Sequence, residues 1–593
     1  TMEPSWVNSL EDTWISGRNK KTEPLVKLLH AYFDKASNCF ECALMLMHSA
    51  RDFHRNRPNS LGFTVMKEFQ DWVSHHPDLY TLLEKEMKHR ALVIVVKQTN
   101  ISLIDVVCQV YKLEDNPYDY IDVIDDLLVK NYFNEASTVV AKLKLHGYYR
   151  LEEIAVPLYL LDKMKQLENY MEGAPQIQMD LLKFLDLLYM EPSRIEKLKN
   201  NMNMKLVSKE KLYEKTIAKA ASKILKQYEL SVELCPNIHY SRSKSALKYL
   251  IHKRYNEHDF SEASWREMIC AAVSTFSKLQ NDLLHNLMAL NEYETALSFA
   301  LKLGYPEEYW PRFLMDYKRQ CGPQKVQELL MSWNFTDVPD YSGKYLQLRL
   351  KLRDVSMVNS PSGLKECIRV ISHYDLLGID AEWKPTIGLI PSRLALIQLA
   401  VWDCVFILDV PKLMVELEAS DWDKLYSEVL SSPRVLKLGY GIAEDVRLLA
   451  EAVKRPNAKI NRVVDLRSFT QKLRRDHPKV IKPVYPKRNC KGLAELSYFL
   501  LGLPLNKSEQ CSDWEKRPLR PSQMVYAALD AYCLLQIYEE LYKRGKEEHV
   551  DMQTLLTEAQ ESMDGNEPRR DRPQKYKPQV YRRYGRRPTP GKR

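Results

Sequence analysis

Two acidic residues interrupt an otherwise apolar segment, LLGIDAEW, at residues 376–383. Asp380 and Glu382 are separated by one alanine, and a second apolar run, LALIQLAV, follows at residues 394–401. Successive side chains of a strand point to opposite faces, so both carboxylates project from the same face of a predicted strand. Because burying an uncompensated carboxylate is costly, this pair requires a compensating positive charge.

Two later acids and a tyrosine belong to predicted helices. Asp445 lies in GYGIAEDVRLLA, early in a helix that follows a strand, and Asp530 lies in QMVYAALDAYCLLQIYEEL. Tyr526 precedes Asp530 by four residues, which places the phenol and the carboxylate on one helix face. Taken alone, Asp445 is equally an acid of a first helical turn, and Asp530 a solvated helix residue.

Convergence of these four carboxylates would have a chemical consequence. They would repel one another and raise each other's pKa unless a divalent cation resolved the repulsion. Oxygen ligands alone favour Mg²⁺ or Mn²⁺ over zinc.

By contrast, Cys39 and Cys42 form a C-x-x-C pair with no second ligand pair in the sequence, so we predict two buried cysteines on a helix. Asp465, in VVDLRS, is predicted to cap a helix.

The elements that must position these residues change in character along the chain. Residues 1–345 have apolar residues at three- and four-residue spacing and are predicted to be helical throughout. Two segments resemble each other: NEASTVVAKLKLHGY begins at Asn134, and NEYETALSFALKLGY begins at Asn291. Each predicts one helix that is capped by Asn and ended by Gly. Their similarity predicts an all-α, HEAT-like helical-repeat solenoid as the first domain.

Residues 346–548 are predicted to form a second, α/β domain. Turn residues in PDYSG and NSPSG mark the transition near residues 340–363. The β-rich runs that follow are LLGIDAEW, LALIQLAVW, CVFILDV, RVLKLGYG and NRVVDLR, and helical patterns occupy about 411–430, 442–453, 491–502 and 521–545. Adjacent strands, followed by strands that alternate with helices, predict a mixed sheet covered by helices.

Residues 549–593 are predicted to form a basic tail, and its positive charge lies in residues 569–593. The formal net charge is +9, and residues 569–593 contain eleven Lys or Arg and one acid among prolines and tyrosines. This composition predicts a disordered tail, which either contacts RNA or serves nuclear import. The sequence has no apolar run of about 18 residues and no secretion signal. Its 11 cysteines are scattered, so we expect a reducing intracellular compartment and no membrane.

The acids and the tyrosine occur in a recognisable order. D-x-E on a strand, Asp445 after LKLGYGIAED and YAALD late in the domain resemble the DEDD superfamily of 3′→5′ exonucleases, in its RNase D branch. The segments KGLAELSYFLLGLPL (491–505) and CSDWEKRPLRPSQMVYAALDAY (511–532) extend this resemblance over about residues 365–545. The histidine-using type has its base five residues before the last Asp, where this chain has Val525. Tyr526 occupies the four-residue position, so the domain resembles the DEDDy type, which implies an RNase H-like fold.

The resemblance also implies roles for these residues in a two-metal hydrolysis of phosphodiester bonds that uses two divalent cations, Mg²⁺ or Mn²⁺. Asp380 would bridge both metals. Glu382 and Asp530 would complete the first metal site, and Asp445 would hold the second. Tyr526 would orient the attacking water, since a phenol with a pKa of about 10 is a poor base at neutral pH. The products would be nucleoside 5′-monophosphates released from a free 3′ end.

Several residues are candidates for RNA binding, each with a plainer alternative. Trp383 and Lys384 could line the path of the terminal nucleotide, and Trp383 could equally serve packing. Residues 474–491 carry seven basic residues, one acid and three prolines, which predicts an electrostatic funnel or a solvated loop. The candidates in this segment are Lys482, Lys487 and Arg488. A lysine ladder, Lys211, Lys215, Lys219 and Lys223, predicts binding of a nucleic-acid backbone or a solvated helix face.

A helical-repeat domain joined to a DEDDy domain, without a helicase, resembles the Nibbler-type (mutator-class) exoribonucleases. These enzymes trim the 3′ ends of small RNAs, miRNA or piRNA, that are loaded on Argonaute or Piwi proteins. Many relatives carry a further C-terminal domain, in place of which this chain has the basic tail. The resemblance implies a cytoplasmic trimming enzyme with single-stranded RNA 3′ ends and an Argonaute/Piwi-family protein as partners. The alternatives are a general RNA-processing or DNA 3′→5′ exonuclease, and a non-catalytic RNA-binding scaffold.

Overall fold

The computed structural model describes residues 4–54, 59–191, 193, 209–257, 260–336, 338, 342–390, 392–481 and 492–563. The chain divides into two compact units, Thr1–His239 and Tyr240–Arg593. The predicted boundary near residue 345 lies inside the second unit, because Ile387 and Cys511 belong to the same buried core as residues between 247 and 329. Within the described residues, no helix combines the length and apolar character that crossing a membrane requires.

The first unit is helical throughout the residues that the structure describes. Its helices are Pro4–Ser16, Glu23–Lys35, Cys39–Ser49, Leu61–Ser74, Lys85–Val95, Ile101–Val110, Ile121–Val129, Phe133–Lys142, Ala155–Leu160, Met164–Met171, Pro175–Met190 and Glu214–Gln227. Cys39 and Cys42 are buried on one of them, as predicted. Burial raises the pKa of the Cys42 thiol to about 12, so this thiol stays protonated at neutral pH.

The two similar segments each form one ten-residue helix, Phe133–Lys142 and Tyr293–Lys302. The predicted asparagine caps are wrong. Asn134 lies inside its helix, and Asn291 precedes its helix with a left-handed φ of 61°. The glycine prediction is confirmed in the second segment, where Gly304 follows the helix with a φ of 60°. A HEAT-like repeat of these helices stays a prediction.

The second unit contains a seven-stranded mixed sheet. Its strands are β1 (Val355–Val358), β2 (Leu376–Trp383), β3 (Leu394–Ala400), β4 (Val405–Asp409), β5 (Leu436–Gly439), β6 (Ile460–Asp465) and β7 (Glu561–Met563), in the spatial order β1-β4-β3-β2-β5-β6-β7. β2 lies at the centre, antiparallel to β3 and parallel to β5. The predicted mixed sheet is therefore confirmed, and β2 has the bounds of the segment LLGIDAEW.

The second unit also contains helices, some of which cover the two faces of this sheet. After Pro236–His252, which begins in the first unit, they are Glu262–Val273, Ser277–Ala289, Tyr293–Lys302, Arg312–Met331, Pro361–Ile371, Val410–Glu416, Ala419–Leu425, Ala443–Ala452, Leu466–Asp476, Leu493–Leu501, Pro521–Glu547 and Met552–Glu558. Pro521–Glu547 packs on one face, where Leu396 and Ala400 are buried. Ile379 and Ala381 belong to the core on the other face.

Two expectations at the edges of this domain are wrong. NSPSG is not a turn: Ser360 caps the helix Pro361–Ile371 by accepting a hydrogen bond from the Gly363 N–H. Residues 549–563 do not belong to a disordered tail, because they form a helix and then β7, which pairs with β6. The predicted tail therefore starts later than residue 549, and its remainder, residues 564–593, lies outside the described residues.

Candidate active site

β2 presents Asp380 and Glu382 on the sheet face that the helix Pro521–Glu547 covers. The residues that alternate with them, Ile379 and Ala381, face the opposite core. The two acidic residues are 9% and 2% exposed, so their carboxylates are held in a buried environment. Strand pairing on both sides of β2 fixes their positions, as strand periodicity predicted.

Gly378 lets the helix Pro521–Glu547 approach β2 closely. A Cβ atom at Gly378 would lie 2.3 Å from the carbonyl oxygen of Ala531, so the position accommodates only glycine. Asp530 directly precedes Ala531 and therefore reaches the strand. One carboxylate oxygen from each of Asp380, Glu382 and Asp530 lies within 4.8 Å of the others, and we call this group the acidic cluster.

The hydroxyl group of Tyr526 adjoins the acidic cluster. It hydrogen-bonds with Asp530, one helical turn further along the same helix face. Burial, together with the negative charges of Asp530, Glu382 and Asp380, raises the pKa of Tyr526 well above its ordinary value of 10. The ring of Trp514 packs beside the phenol, with 5.8 Å between the ring centroids. Tyr526 is therefore a neutral hydrogen-bonding group that can orient a water but cannot act as a base at neutral pH.

Asp445 approaches the same region from the opposite core. It occupies the first turn of the helix Ala443–Ala452, where it is 4% exposed. The turn before this helix is tight, because a Cβ atom at Gly439 would lie 2.5 Å from the Cβ atom of Ile442. Asp445 and Asp380 both line a small cavity of about 20 Å³. Asp445 thus lies outside the acidic cluster.

Asp465 stabilises the turn that leads from β5 into the helix that carries Asp445. As predicted, it caps the helix that follows β6, because its carboxylate accepts a hydrogen bond of 2.9 Å from the Arg467 N–H. The same oxygen, Oδ1, accepts a second hydrogen bond, of 2.7 Å, from the Gly441 N–H in the turn after β5. The carboxylate of Asp465 therefore holds the turns after β5 and β6 together.

The donor set of the acidic cluster fits a hard divalent cation. Three buried carboxylates from two elements lie within 4.8 Å of one another, which is unfavourable without a neutralising charge. Oxygen donors of this kind suit Mg²⁺ or Mn²⁺ rather than softer metals. Asp380, Glu382 and Asp530 are the residues that would hold such a cation.

Comparison with known proteins agrees with this geometry. A family model described as a 3′-5′ exonuclease matches residues 355–546. The chain is 27% identical over 566 residues to the exonuclease mut-7 homolog of Aedes aegypti, covering 93% of this chain and 78% of that protein. It is 28% identical over 527 residues to the exonuclease mut-7 homolog of Homo sapiens, covering 86% of this chain and 59% of that protein. The chain carries a 3′–5′ exonuclease domain, and it is similar to mut-7 exonucleases over most of its length.

A solved structure is similar to part of this chain. The crystal structure of the Aedes aegypti Nibbler EXO domain is 31% identical in sequence and covers 36% of this chain and 99% of that chain, with a TM-score of 0.34. The chain of the present protein spans 59% of the length of the human relative, which is less than two thirds. The family model spans all four acids and Tyr526, so each lies within the matched exonuclease domain.

The residues predicted to bind RNA occupy different environments in the exonuclease. Trp383 is partly buried against the core of the sheet, in agreement with its packing alternative. Lys384 is paired with Asp513, at 2.8 Å between Nζ and Oδ2. The predicted candidates Lys482, Lys487 and Arg488 lie outside the described residues. RNA contact by these residues stays a prediction.

The four lysines of the ladder in the first unit also differ in their surroundings. Lys211 forms an ion pair of 2.6 Å with Asp162, and Lys223 pairs with Glu168. Lys215 and Lys219 are exposed on the helix Glu214–Gln227 or at its start. Binding of a nucleic-acid backbone by this ladder stays a prediction, with Lys215 and Lys219 as its most accessible members.

Gln398 on β3 is a polar residue beside the acidic cluster that the sequence patterns did not single out. This residue lies opposite Asp380 in the antiparallel pair, so its side chain is on the face of the acidic cluster. Gln398 is fully buried, and its amide nitrogen and oxygen have no hydrogen-bond partner among the described residues. The signal in the sequence was one polar residue within the apolar run LALIQLA. Gly378 was also missed, since its role depends on a helix more than 150 residues later.

Replacing Tyr526 with phenylalanine should lower kcat for 3′-end hydrolysis by about 10²-fold, because the hydroxyl that orients water is lost. The pKa of Tyr526 is raised, so the phenol stays protonated up to pH 10 and contributes no inflection below it. The pH profile of kcat between pH 7 and pH 10 should therefore have the same shape in both proteins. Tyr542→Phe, on an exposed part of the same helix, is the control. An inflection near pH 10 that only the wild type shows would contradict the assigned role.

Proposed function

We propose that this exonuclease is a metal-dependent 3′→5′ exoribonuclease that trims the 3′ ends of small RNAs, miRNA or piRNA, bound to Argonaute or Piwi proteins. The observation that carries the proposal is the buried acidic cluster with Tyr526 beside it, in a domain of RNase D type. The similarity to mut-7 homologues extends over 93% of the chain, which includes the helical first unit. A similarity that extends beyond the exonuclease domain favours the same substrate class.

The residues of the site divide the work of hydrolysis between them. Two divalent cations, when bound, supply neutralisation of the carboxylates and stabilisation of the charge that develops on the phosphate. Asp380 belongs to the acidic cluster and lines the same small cavity as Asp445, and the resemblance to DEDDy exonucleases implies that it would contribute to both cation sites. Glu382 and Asp530 would complete one site. Tyr526 would hold the attacking water in line with the terminal phosphodiester.

The helical first unit supplies a second element of the proposal. A trimming enzyme requires a surface that retains the guide RNA or its carrier protein while the 3′ end is shortened. Lys215 and Lys219 offer exposed positive charge for such a surface. We place this reaction in the cytoplasm, with single-stranded RNA 3′ ends and an Argonaute-family protein as partners.

Incubation with a 5′-labelled single-stranded RNA tests the activity. With Mn²⁺ or Mg²⁺ we expect a ladder that shortens from the 3′ end, and with EDTA we expect no shortening. Restoring the metal after chelation should restore the activity. Intact RNA under all conditions would favour a non-catalytic scaffold instead, and metal-independent shortening would exclude the acidic cluster as the site.

Matched substrates test the substrate class. We expect RNA with a free 3′ end to be shortened faster than DNA of the same sequence, and a 2′-O-methylated 3′ end to slow the reaction. A guide RNA bound to Argonaute should be trimmed to a defined length, whereas the free RNA should be degraded further. Preferential digestion of DNA, or equal degradation of free and Argonaute-bound RNA, would overturn the small-RNA assignment.

A further inference from the structure

A buried polar network connects the helix Glu262–Val273 to the segment that precedes Tyr526. Ser264 and Glu267 on this helix meet Glu509 and Arg520. The side chains of Glu267 and Glu509 are each 7% exposed, and that of Arg520 is 10% exposed. Residues separated by about 250 positions therefore share one interior site within the second unit.

Arg520 is the centre of this network. Its Nη1 and Nη2 atoms donate hydrogen bonds of 2.9 and 2.7 Å to the two carboxylate oxygens of Glu509. Its Nε and Nη2 atoms both donate to Oε2 of Glu267, each at 3.3 Å. Nη2 also lies 3.1 Å from Oγ of Ser264, and Oγ of Ser264 donates a 2.5 Å hydrogen bond to Glu509. The guanidinium group is thus held both by the helix Glu262–Val273 and by Glu509, which lies in the segment before the helix Pro521–Glu547.

The charges of the network balance. Lys516 donates a hydrogen bond of 2.9 Å from Nζ to Oε1 of Glu267, which adds a second cation to the two carboxylates. Burial by itself would raise the pKa of Glu509, but hydrogen bonds from Arg520 and the charge of that residue, aided by the hydroxyls of Ser264 and Ser512, lower it to about 2. Glu509 therefore remains ionised at neutral pH, as a partner for Arg520 requires. Removing Glu267 would take one of two carboxylate partners from the buried Arg520.

The network lies at the start of the helix that carries the site. Arg520 is the N-cap residue of the helix Pro521–Glu547, and its backbone N–H donates to the side chain of Gln523. Tyr526 and Asp530 follow within three turns of this end. A shift of Arg520 would therefore move both the phenol and the last member of the acidic cluster.

A second segment beside the site is held by the same helices. Ile387, which follows β2, is buried in the core formed by residues between 247 and 329, and Cys511 is buried there as well. The backbone N–H of Ser261 donates a hydrogen bond to the carbonyl oxygen of Ser508. The chain segments after β2 and before the helix Pro521–Glu547 are thus both attached to this helical core.

We propose that Glu267 is a positioning residue for the exonuclease reaction: by holding Arg520, it fixes the start of the helix that carries Tyr526 and Asp530. The helices near residues 260–331 are then part of the catalytic unit rather than only a surface for RNA or protein. The measurement of kcat rests on the proposed function, whereas the placement of the helix Pro521–Glu547 can be measured without RNA.

Three variants test this role. Glu267→Ala removes the contact, Glu267→Gln keeps the shape but removes the charge, and Glu262→Gln on the same helix is the control, because Glu262 pairs with Arg254 and Arg266 instead. We expect kcat to fall about 10- to 100-fold in Glu267→Ala, with KM for the RNA changed less than about twofold. Glu267→Gln should retain an intermediate kcat, and Glu262→Gln should match the wild type.

Hydrogen exchange of the full chain in the absence of RNA gives the independent readout. Amides of residues 521–530 should exchange faster in both Glu267 variants than in the control, at a temperature well below unfolding. Unchanged exchange in that segment, or a loss confined to KM, would overturn the proposal. If the wild type shortens no RNA, the proposed function fails, and the exchange experiment still decides whether Glu267 positions the helix. If Glu267→Ala does not fold, Glu267→Gln carries both measurements.

Discussion

Replacing Asp380 with asparagine should lower kcat for 3′-end hydrolysis by about 10³-fold or more, the largest loss we expect from a single change. Asp380 belongs to the acidic cluster and also lines the cavity next to Asp445. It is therefore the member of the acidic cluster that also lines this cavity. Asparagine keeps the size of the side chain but removes its charge and one of its two acceptor oxygens, so it binds a cation less tightly.

The same variant should not be less stable in the absence of metal. Three carboxylates within 4.8 Å repel one another, and removing one charge relieves that repulsion. We therefore expect an unfolding temperature in EDTA that equals or exceeds that of the wild type. Mn²⁺ should raise the unfolding temperature of the wild type by more than that of Asp380→Asn, because the variant binds the cation less tightly.

Asp375→Asn is the matched control for this prediction. Asp375 is exposed and precedes β2 directly, so it undergoes the same chemical change outside the buried site. This variant should retain the wild-type kcat and the wild-type response to Mn²⁺. If Asp380→Asn kept its activity, the acidic cluster would not be the catalytic site.

Replacing Gly378 with alanine should disrupt both the fold of the sheet domain and its activity. The added Cβ atom would lie 2.3 Å from the carbonyl oxygen of Ala531, so either β2 or the helix Pro521–Glu547 must move. Overpacking of this kind costs about 3 kcal/mol in the free energy of unfolding. A shift of the helix would also separate Asp530 from Asp380, and we expect kcat to fall about 10²-fold in the protein that remains folded.

Gly147→Ala provides the comparison. No atom lies within 4 Å of the Cβ position at Gly147, and its backbone does not require glycine. The unfolding free energy of this variant, measured by denaturant titration, should stay close to that of the wild type. Wild-type stability and activity in Gly378→Ala would show that the helix does not depend on close contact with β2.

Local patterns were sufficient for the elements and for most of the site. The apolar run and the D-x-E pair defined β2 with its observed bounds, because a strand that is buried on both faces has a nearly continuous apolar sequence. The four-residue spacing of Tyr526 and Asp530 placed both on one helix face, since helix geometry is set locally. The resemblance to DEDDy exonucleases then joined the acids of separate elements, which periodicity alone could not do.

Local patterns failed where one segment meets several others. The boundary expected near residue 345 rested on a change from helical to β-rich sequence. The helices before it nevertheless pack with Ile387 and Cys511 in one core. Asn134 and Asn291 fit the composition of helix caps, but the helices begin elsewhere because the packing of their apolar faces decides where each turn starts.

The sequence by itself therefore determined the class of the sheet domain, the identity of its acids and the position of Tyr526. Only the tertiary structure decided how those acids meet. The contact of Gly378 with Ala531, the burial of Gln398 opposite Asp380, and the network from Glu267 to Arg520 join residues that are far apart in the chain. No local periodicity encodes such contacts, because they arise from the packing of whole elements against one another.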